Sequence, residues 1–300
     1  MVHRWGYIAA ISSALLFGLG ATLNKIVLAD VHPTVVAGAI YMFAGLFLSI
    51  VRFSPLSSRL LTILAIPTGA EARIDKKDLG ILALIILSGS TVAPLLYLNG
   101  LNQTTAVNAS LLQNTESLFT ALIAFLFLGE RAYEKDWVGI FLIFVGALFL
   151  TTNGEFHLLT LTQNLLGNLL IVMASMFWGI DNNLSKLLSR KDIVIVTAIK
   201  CLAGGAVLLL LSKLLGLPLQ IPLSALPYML SAGALSIGFS ILLFLLGLRE
   251  IGAMKTGIIF STSSLFGAVF AFIILREGFS LIQLLAGLTM LLGVYIMYRE

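Results

Sequence analysis

Charge is what this sequence has least of. Asp, Glu, Lys and Arg together make up 11% of the 300 residues while 59% are hydrophobic, against about 25% charged in ordinary globular domains. A soluble fold of this length could not withdraw so much apolar surface from water. Cysteine is nearly absent: Cys201 stands alone, which excludes a disulfide-stapled secreted scaffold, and the apolar content excludes disorder. Histidine is almost as rare. His3, His32 and His157 lie in or near loops, so neither a histidine metal cluster nor a buried histidine relay can be assembled. No H-E-x-x-H, G-x-S-x-G or G-x-x-x-x-G-K motif occurs. The reading is therefore a non-enzymatic integral membrane protein that needs no cofactor and does not use ATP directly. The net charge of +4 comes from basic residues set between apolar segments, which points to membrane topology and not to nucleic acid.

What is present is a series of long apolar runs. A helix needs about 20 apolar residues to cross the hydrocarbon core, and on that measure ten spans are expected. They cover Trp5–Ala29, Thr34–Arg52, Leu79–Leu98, Thr105–Leu128, Asp136–Thr152, Leu165–Leu188, Ile193–Ser212, Ala225–Leu246, Ala253–Leu275 and Ser280–Tyr298. The runs are continuously apolar, unlike the alternating strands of a membrane barrel. The first run follows His3 and Arg4 and is too long for a cleaved signal segment. With the N-terminus placed in the cytoplasm, that side collects most Lys and Arg, including Arg59, Arg73, Lys76 and Lys77 of the one long loop. The opposite side holds only Lys25, Lys213 and Arg276. The bias puts both termini in the cytoplasm.

The chain also repeats itself. Tyr97–Arg131 aligns without gaps on Phe244–Gly278, with Gly100, Thr115, Ser117, Phe119, Phe125 and Glu130 falling on identical residues and Glu130 matching Glu277. A second match sets Phe17-Gly18 on Trp178-Gly179, Leu23 on Leu184 and Lys25 on Lys186. Two hydrophobic segments alike by chance would share Leu and Ala, not Gly, Ser, Glu and Lys at fixed spacing. Residues 1–154 and 155–300 are thus read as two repeats of five spans each. Five is odd, so the second copy enters the membrane inverted, an arrangement recurrent in secondary transporters.

The motifs FGLGATLNK at Phe17–Lys25, FWGIDNNLSK at Phe177–Lys186, FLFLGE at Phe125–Glu130 and FIILRE at Phe272–Glu277 carry a resemblance. The chain resembles the drug/metabolite transporter superfamily, in its ten-helix EamA-like branch, over essentially its whole length. Arg276 departs from the pattern, which has glycine there, as in Gly129 of the first copy. The resemblance implies export of amino acids or related metabolites from the cytoplasm of a prokaryotic cell through its inner membrane.

Ionisable residues inside spans are the useful anomaly, because a charge at the bilayer centre costs roughly 2.5–3.5 kcal/mol on insertion scales. Glu116 stands near the middle of the fourth span. At about 1.5 Å of rise per residue, Asp181 and Lys200 share a depth about 5–7 Å to the cytoplasmic side of the centre. Their counterparts in the other copy are Ser263, Gly20 and Ala39, so the charges break the internal symmetry. Asp181 and Lys200 read either as a structural ion pair or with Lys200 as the anchor for a substrate carboxylate or phosphate. Glu116 has no evident partner at its own level. It shares a helix face with Gln113, Ser117 and Thr120 and is the candidate for proton coupling or amine binding. The alternative is a protonated Glu bonded to neighbouring helices. Asn114 and Asn182 extend the polar lining, as does Ser263 in the Ser261–Ser264 run unless those hydroxyls only bond the preceding turn. Trp178 and Tyr41 are either substrate-stacking rings or filler.

Several residues are assigned to scaffold. Glu130 and Glu277 end helices as caps or charge partners, and Lys25 and Lys186 reach to the interface. Pro94, Gly89, Gly233 and Gly238 weaken the third and eighth spans at related places, which suits gates. Gly139, Gly146, Ala286 and Gly293 put small residues on the fifth and tenth spans, for packing within the chain or for a homodimer seam. The expected partners are a small-molecule substrate and membrane lipid. The topology predicts that Leu215→Cys is labelled by an impermeant maleimide on intact cells, whereas Lys191→Cys is labelled only after permeabilisation; the reverse pattern sinks the orientation.

Overall fold

The computed structural model of the chain describes residues 2–55, 57–63, 73–127, 133–152, 163–188 and 191–299, and among these every regular element is helical. Ten principal helices follow one another: α1 Val2–Val27, α2 Pro33–Phe53, α3 Asp78–Gln103, α4 Ala106–Phe127, α5 Glu134–Thr152, α6 Gln163–Leu187, α7 Ile193–Leu214, α8 Leu226–Ile251, α9 from Ala253 to Leu275 and α10 Leu281–Tyr298. Nine helices among the described residues are long and apolar enough to cross a membrane. The other principal helix is α5, which begins on Glu134, Lys135 and Asp136. The proposed junction between repeats, after residue 154, and Glu130 both lie outside the described residues.

Two helices run further than their apolar stretches suggest. Helix α3 continues past Leu98 because its polar residues are satisfied by the preceding turn: Asn99 Nδ2 donates to Leu95 O at 2.7 Å and Gln103 Nε2 to Asn99 O at 3.1 Å. Helix α8 continues past Leu246 to Gly252, whose φ of +83° stops it in a backbone region that glycine enters at little cost.

Four helices are interrupted at matched places. A π-helical turn occupies Ser88–Val92 in α3 and another Ala232–Phe239 in α8. Helix α4 breaks between Leu112 and Thr115, and α9 breaks at Thr262. Both breaks are bridged in the same way. Thr115 Oγ1 donates to Leu112 O at 2.7 Å and Thr262 Oγ1 to Ile259 O at 2.6 Å.

Close packing depends on small residues. Helices α2 and α7 lie backbone to backbone: a Cβ at Gly205 would come within 2.8 Å of Gly38 O and Met42 N. Helices α5 and α10 form a second such seam, where a Cβ at Gly139 would meet Gly293 O at 2.6 Å and one at Gly146 would meet Ala286 O at 2.8 Å. The four small residues singled out from sequence therefore face one another within the chain. The outward sides of the same helices carry exposed Phe141, Phe144, Leu288 and Leu292, as lipid contact requires.

The helix ends are tied by charges bonded to backbone. Lys25, expected to reach outward, turns inward: its Nζ donates to Leu101 O and Thr104 O, each at 2.6 Å. Carbonyls at a helix C-terminus lack intrahelical partners and carry partial negative charge, so they draw the ammonium in. Glu277 does the converse, accepting from Ala106 N and Val107 N at 2.9 Å each, at the start of α4. At the other end of the bundle, Arg52 Nε meets Asp192 Oδ2 at 2.8 Å, and Asp192 also caps α7 through Val194 N and Ile195 N. Its neighbour Lys191 bonds Asp78 at 2.9 Å and Asp75 at 3.3 Å, contacts that hold its ammonium above the usual lysine pKa.

Filling the α5–α10 seam should be costly. Gly146→Leu is expected to destabilise the protein by about 1–3 kcal/mol, the usual penalty for overpacking, read as a lower unfolding temperature in detergent. An unchanged temperature would show that the seam is looser than described.

Candidate functional site

Between the helices lies a cavity of about 240 Å³. Part of its lining falls into seven pairs related by the same offsets that relate the two halves of the sequence: Phe17 with Trp178, Gly20 with Asp181, Ala21 with Asn182, Ile40 with Cys201, Gly89 with Ser236, Pro94 with Ile241, and Gln113 with Phe260. In the pairs of Asp181, Asn182, Ser236 and Gln113, one member is polar and the other apolar or without a side chain. The backbone frame is matched, and the chemistry placed on it is lopsided.

The charged wall is built on one turn of α6. Lys200 Nζ, from α7, sits 2.6 Å from Asp181 Oδ2, while Ser185 Oγ lies 3.4 Å from Asp181 Oδ1. The next residue, Asn182, donates from Nδ2 to Glu116 Oε1 at 2.7 Å and to Thr120 Oγ1 at 3.2 Å. Glu116 therefore has a partner, which reading the fourth span alone could not supply: it comes from α6, across the bundle. Asp181 is buried, Glu116 and Lys200 are half-buried, and Asn182 is exposed. The ion pair is formed, and Lys200 still lines the cavity.

Gly89 is what allows Asp181 to lie there. A Cβ on Gly89 would overlap the Asp181 carboxyl carbon. Gly89 sits in the π turn of α3, and Pro94 five residues on brings no N–H to the ladder, so the Gly89 carbonyl is left to other donors. Trp178 Nε1 supplies one at 3.1 Å and the Tyr41 hydroxyl another at 3.3 Å. The polar ends of both rings are thereby engaged, and the rings stand as fixed walls. Tyr97 packs on Trp178 with centroids 5.3 Å apart, and Phe260 lies 5.0 Å from Phe17 and 4.9 Å from Phe244. Charged and aromatic side chains thus line the same cavity, with Trp178 and Tyr41 beside the seat of Asp181.

Of the residues singled out from sequence, Glu116, Lys200, Asp181, Gln113, Asn182, Trp178, Tyr41, Pro94 and Gly89 line this cavity. Asn114 and Ser263 do not. Asn114 Nδ2 donates to Ser264 Oγ at 2.9 Å, joining α4 to α9, and Ser263 is buried beside that contact. Ser261, Thr262 and Ser264 each bond a carbonyl three residues back, so the run braces its own helix break. Gly238 packs against the Phe47 ring, where a Cβ would stand 2.5 Å from Cδ1. The cavity also takes in Asn24, Tyr97, Thr197, Cys201, Ser236 and Phe260, which sequence reasoning did not select. The repeat offsets pointed to two of them, since Phe260 is the counterpart of Gln113 and Ser236 of Gly89.

Gly89→Ala should push Asp181 off its seat, lowering thermal stability by about 1–3 kcal/mol and abolishing ligand binding. Gly80→Ala is the control, since a Cβ at Gly80 meets nothing within 4 Å. Equal behaviour of the two variants would remove Gly89 from the site.

Comparison with known proteins agrees with this architecture. Residues 4–152 and 165–299 each match the EamA-like transporter family. An uncharacterized transporter of Methanothermobacter thermautotrophicus is 45% identical over 299 residues, covering 99% of this chain and 87% of that protein. An uncharacterized transporter of Archaeoglobus fulgidus is 27% identical, covering 72% of this chain and 74% of its own length. The uncharacterized transporter YyaM of Bacillus subtilis is 26% identical over 66% of each. One solved crystal structure superposes with a TM-score of 0.66 at 17% identity, covering 97% of this chain and 95% of that one, a likeness of fold. A multi-pass helical membrane protein matched in both halves, this chain belongs to the EamA-like transporter family.

Proposed function

We propose that the protein exports small zwitterionic metabolites, amino acids or their close relatives, across the inner membrane of a prokaryotic cell, without catalysing a reaction. The observation that carries this reading is the charged wall: an ammonium, Lys200, and a carboxylate, Glu116, both line one cavity, held by adjacent residues of α6. Lys200 is placed to take a substrate carboxylate and Glu116 its amine. Neither role needs a cofactor.

Alternating access between two inverted repeats is the mechanism proposed. It is supported by the paired lining positions, the matched π turns of α3 and α8, and the matched breaks of α4 and α9. The two π turns border the cavity through Gly89 and Ser236, which makes them the natural places for the bundle to flex.

One observation favours a second reading, a cation or drug exporter. Asp181 offsets Lys200 directly, which leaves Glu116 as the surplus formal charge in a cavity that aromatic rings also line. Competition by an anionic substrate analogue separates the two, because only the zwitterion carrier should be inhibited.

The test is counterflow in proteoliposomes with a panel of labelled amino acids. Wild type is expected to exchange at least one of them, and Glu116→Gln to lose tenfold or more at normal yield. Full activity in Glu116→Gln sinks the role given to Glu116. No exchange of any amino acid by folded wild type sinks the substrate class.

A further inference from the structure

Away from the charged wall, the cavity has a group of polar atoms with nothing to bond. Asn24 Oδ1, the Tyr97 hydroxyl and Ser236 Oγ are buried and have no hydrogen-bond partner, and all three residues line the cavity. They are 6%, 4% and 2% exposed, respectively. Buried polar groups in folded proteins are almost always satisfied, so three orphans lining one cavity are a lining waiting for a partner.

Their positions place them together. Gly20 brings α1 against Ser236 of α8, where a Cβ would stand 3.3 Å from Ser236 Cβ, and Asn24 is the next turn of α1. From the opposite side, Tyr97 lies one turn of α3 before Leu101, whose carbonyl receives Lys25, the neighbour of Asn24. Tyr97 thus sits one turn inside the Lys25 tie and Asn24 one residue inside it, with Ser236 deeper. Lys25, next to Asn24 in sequence, has its ammonium already bonded to two carbonyls. The three free atoms are therefore neutral: one amide oxygen and two hydroxyls.

We infer that Asn24, Tyr97 and Ser236 form a second, neutral subsite that hydrogen-bonds an uncharged polar substituent on the substrate, a hydroxyl or carboxamide. The inference rests on the amino-acid reading and deepens it: the charged head is held at Lys200 and Glu116, and the tail is read at the far end. A site built from unpaired donors and acceptors discriminates against the analogue lacking the polar group, because that analogue leaves the orphans unpaired.

The experiment is counterflow with matched pairs, glutamine against norleucine and tyrosine against phenylalanine. The wild type is expected to prefer the polar member of at least one pair by tenfold or more. Tyr97→Phe and Ser236→Ala should bring that ratio close to one, while Ser175→Ala, which removes a buried orphan hydroxyl outside the cavity, keeps the wild-type ratio. A wild-type ratio near one in both pairs overturns the subsite and leaves the amino-acid reading standing; it is the result expected if water alone satisfies the three atoms. A ratio unchanged in both cavity variants overturns it equally. Exchange of neither member of either pair, by protein that also exchanges no other amino acid, overturns both. Where one cavity variant fails to fold, the other is read against the wild-type ratio and carries the test alone.

Discussion

Everything at the centre of this protein depends on keeping ionised groups within a bilayer. Water would solvate Lys200, Asp181 and Glu116 at no cost; hydrocarbon would not. The fold meets this requirement through backbone geometry. A π turn in α3, a glycine without a Cβ and a proline without an N–H create a recess and a free carbonyl. Asp181 fills the recess, Lys200 pairs with Asp181, and Trp178 and Tyr41 bond the carbonyl. Removing one partner from such a pair strands a charge, so these residues are interdependent. Glu116 joins them through Asn182, the residue next to Asp181 on α6.

The same frame shows how duplication and function divide the work. Matched elements supply shape: the two interrupted helices with π turns, the two broken ones, and the glycine seams. Unmatched residues supply the polar lining of the cavity. Where one copy has Gly20 and Ala21, the other has Asp181 and Asn182; where one has Phe260, the other has Gln113. A cavity lined identically by both copies would offer a substrate the same surface twice. This one does not, since Asp181, Asn182 and Gln113 stand where the counterparts are Gly20, Ala21 and Phe260.

Much of this was legible in the chain itself. Apolar run length located the helices, because the bilayer sets that length, and the charged residues inside spans stood out by their expense. The Asp181–Lys200 pair was one of two readings open from depth alone. What sequence could not supply was rotation about helix axes. Asn114 and Glu116 are near neighbours, yet the break in α4 sends one to Ser264 and the other into the cavity. Lys25 lay at a span end, where snorkelling is the ordinary behaviour; only the nearby carbonyls of Leu101 and Thr104 turn it inward. Asn24, Tyr97 and Ser236 carry no charge, so nothing in composition flagged them.

Cys201 lines the cavity next to Lys200 and is the one cysteine in 300 residues. Burial covers its sulfur, so a thiol-directed reagent reaches it only when the bundle opens. In the unaltered protein any cysteine adduct lies at this one position, and the rate at which it forms reports how often that wall is uncovered.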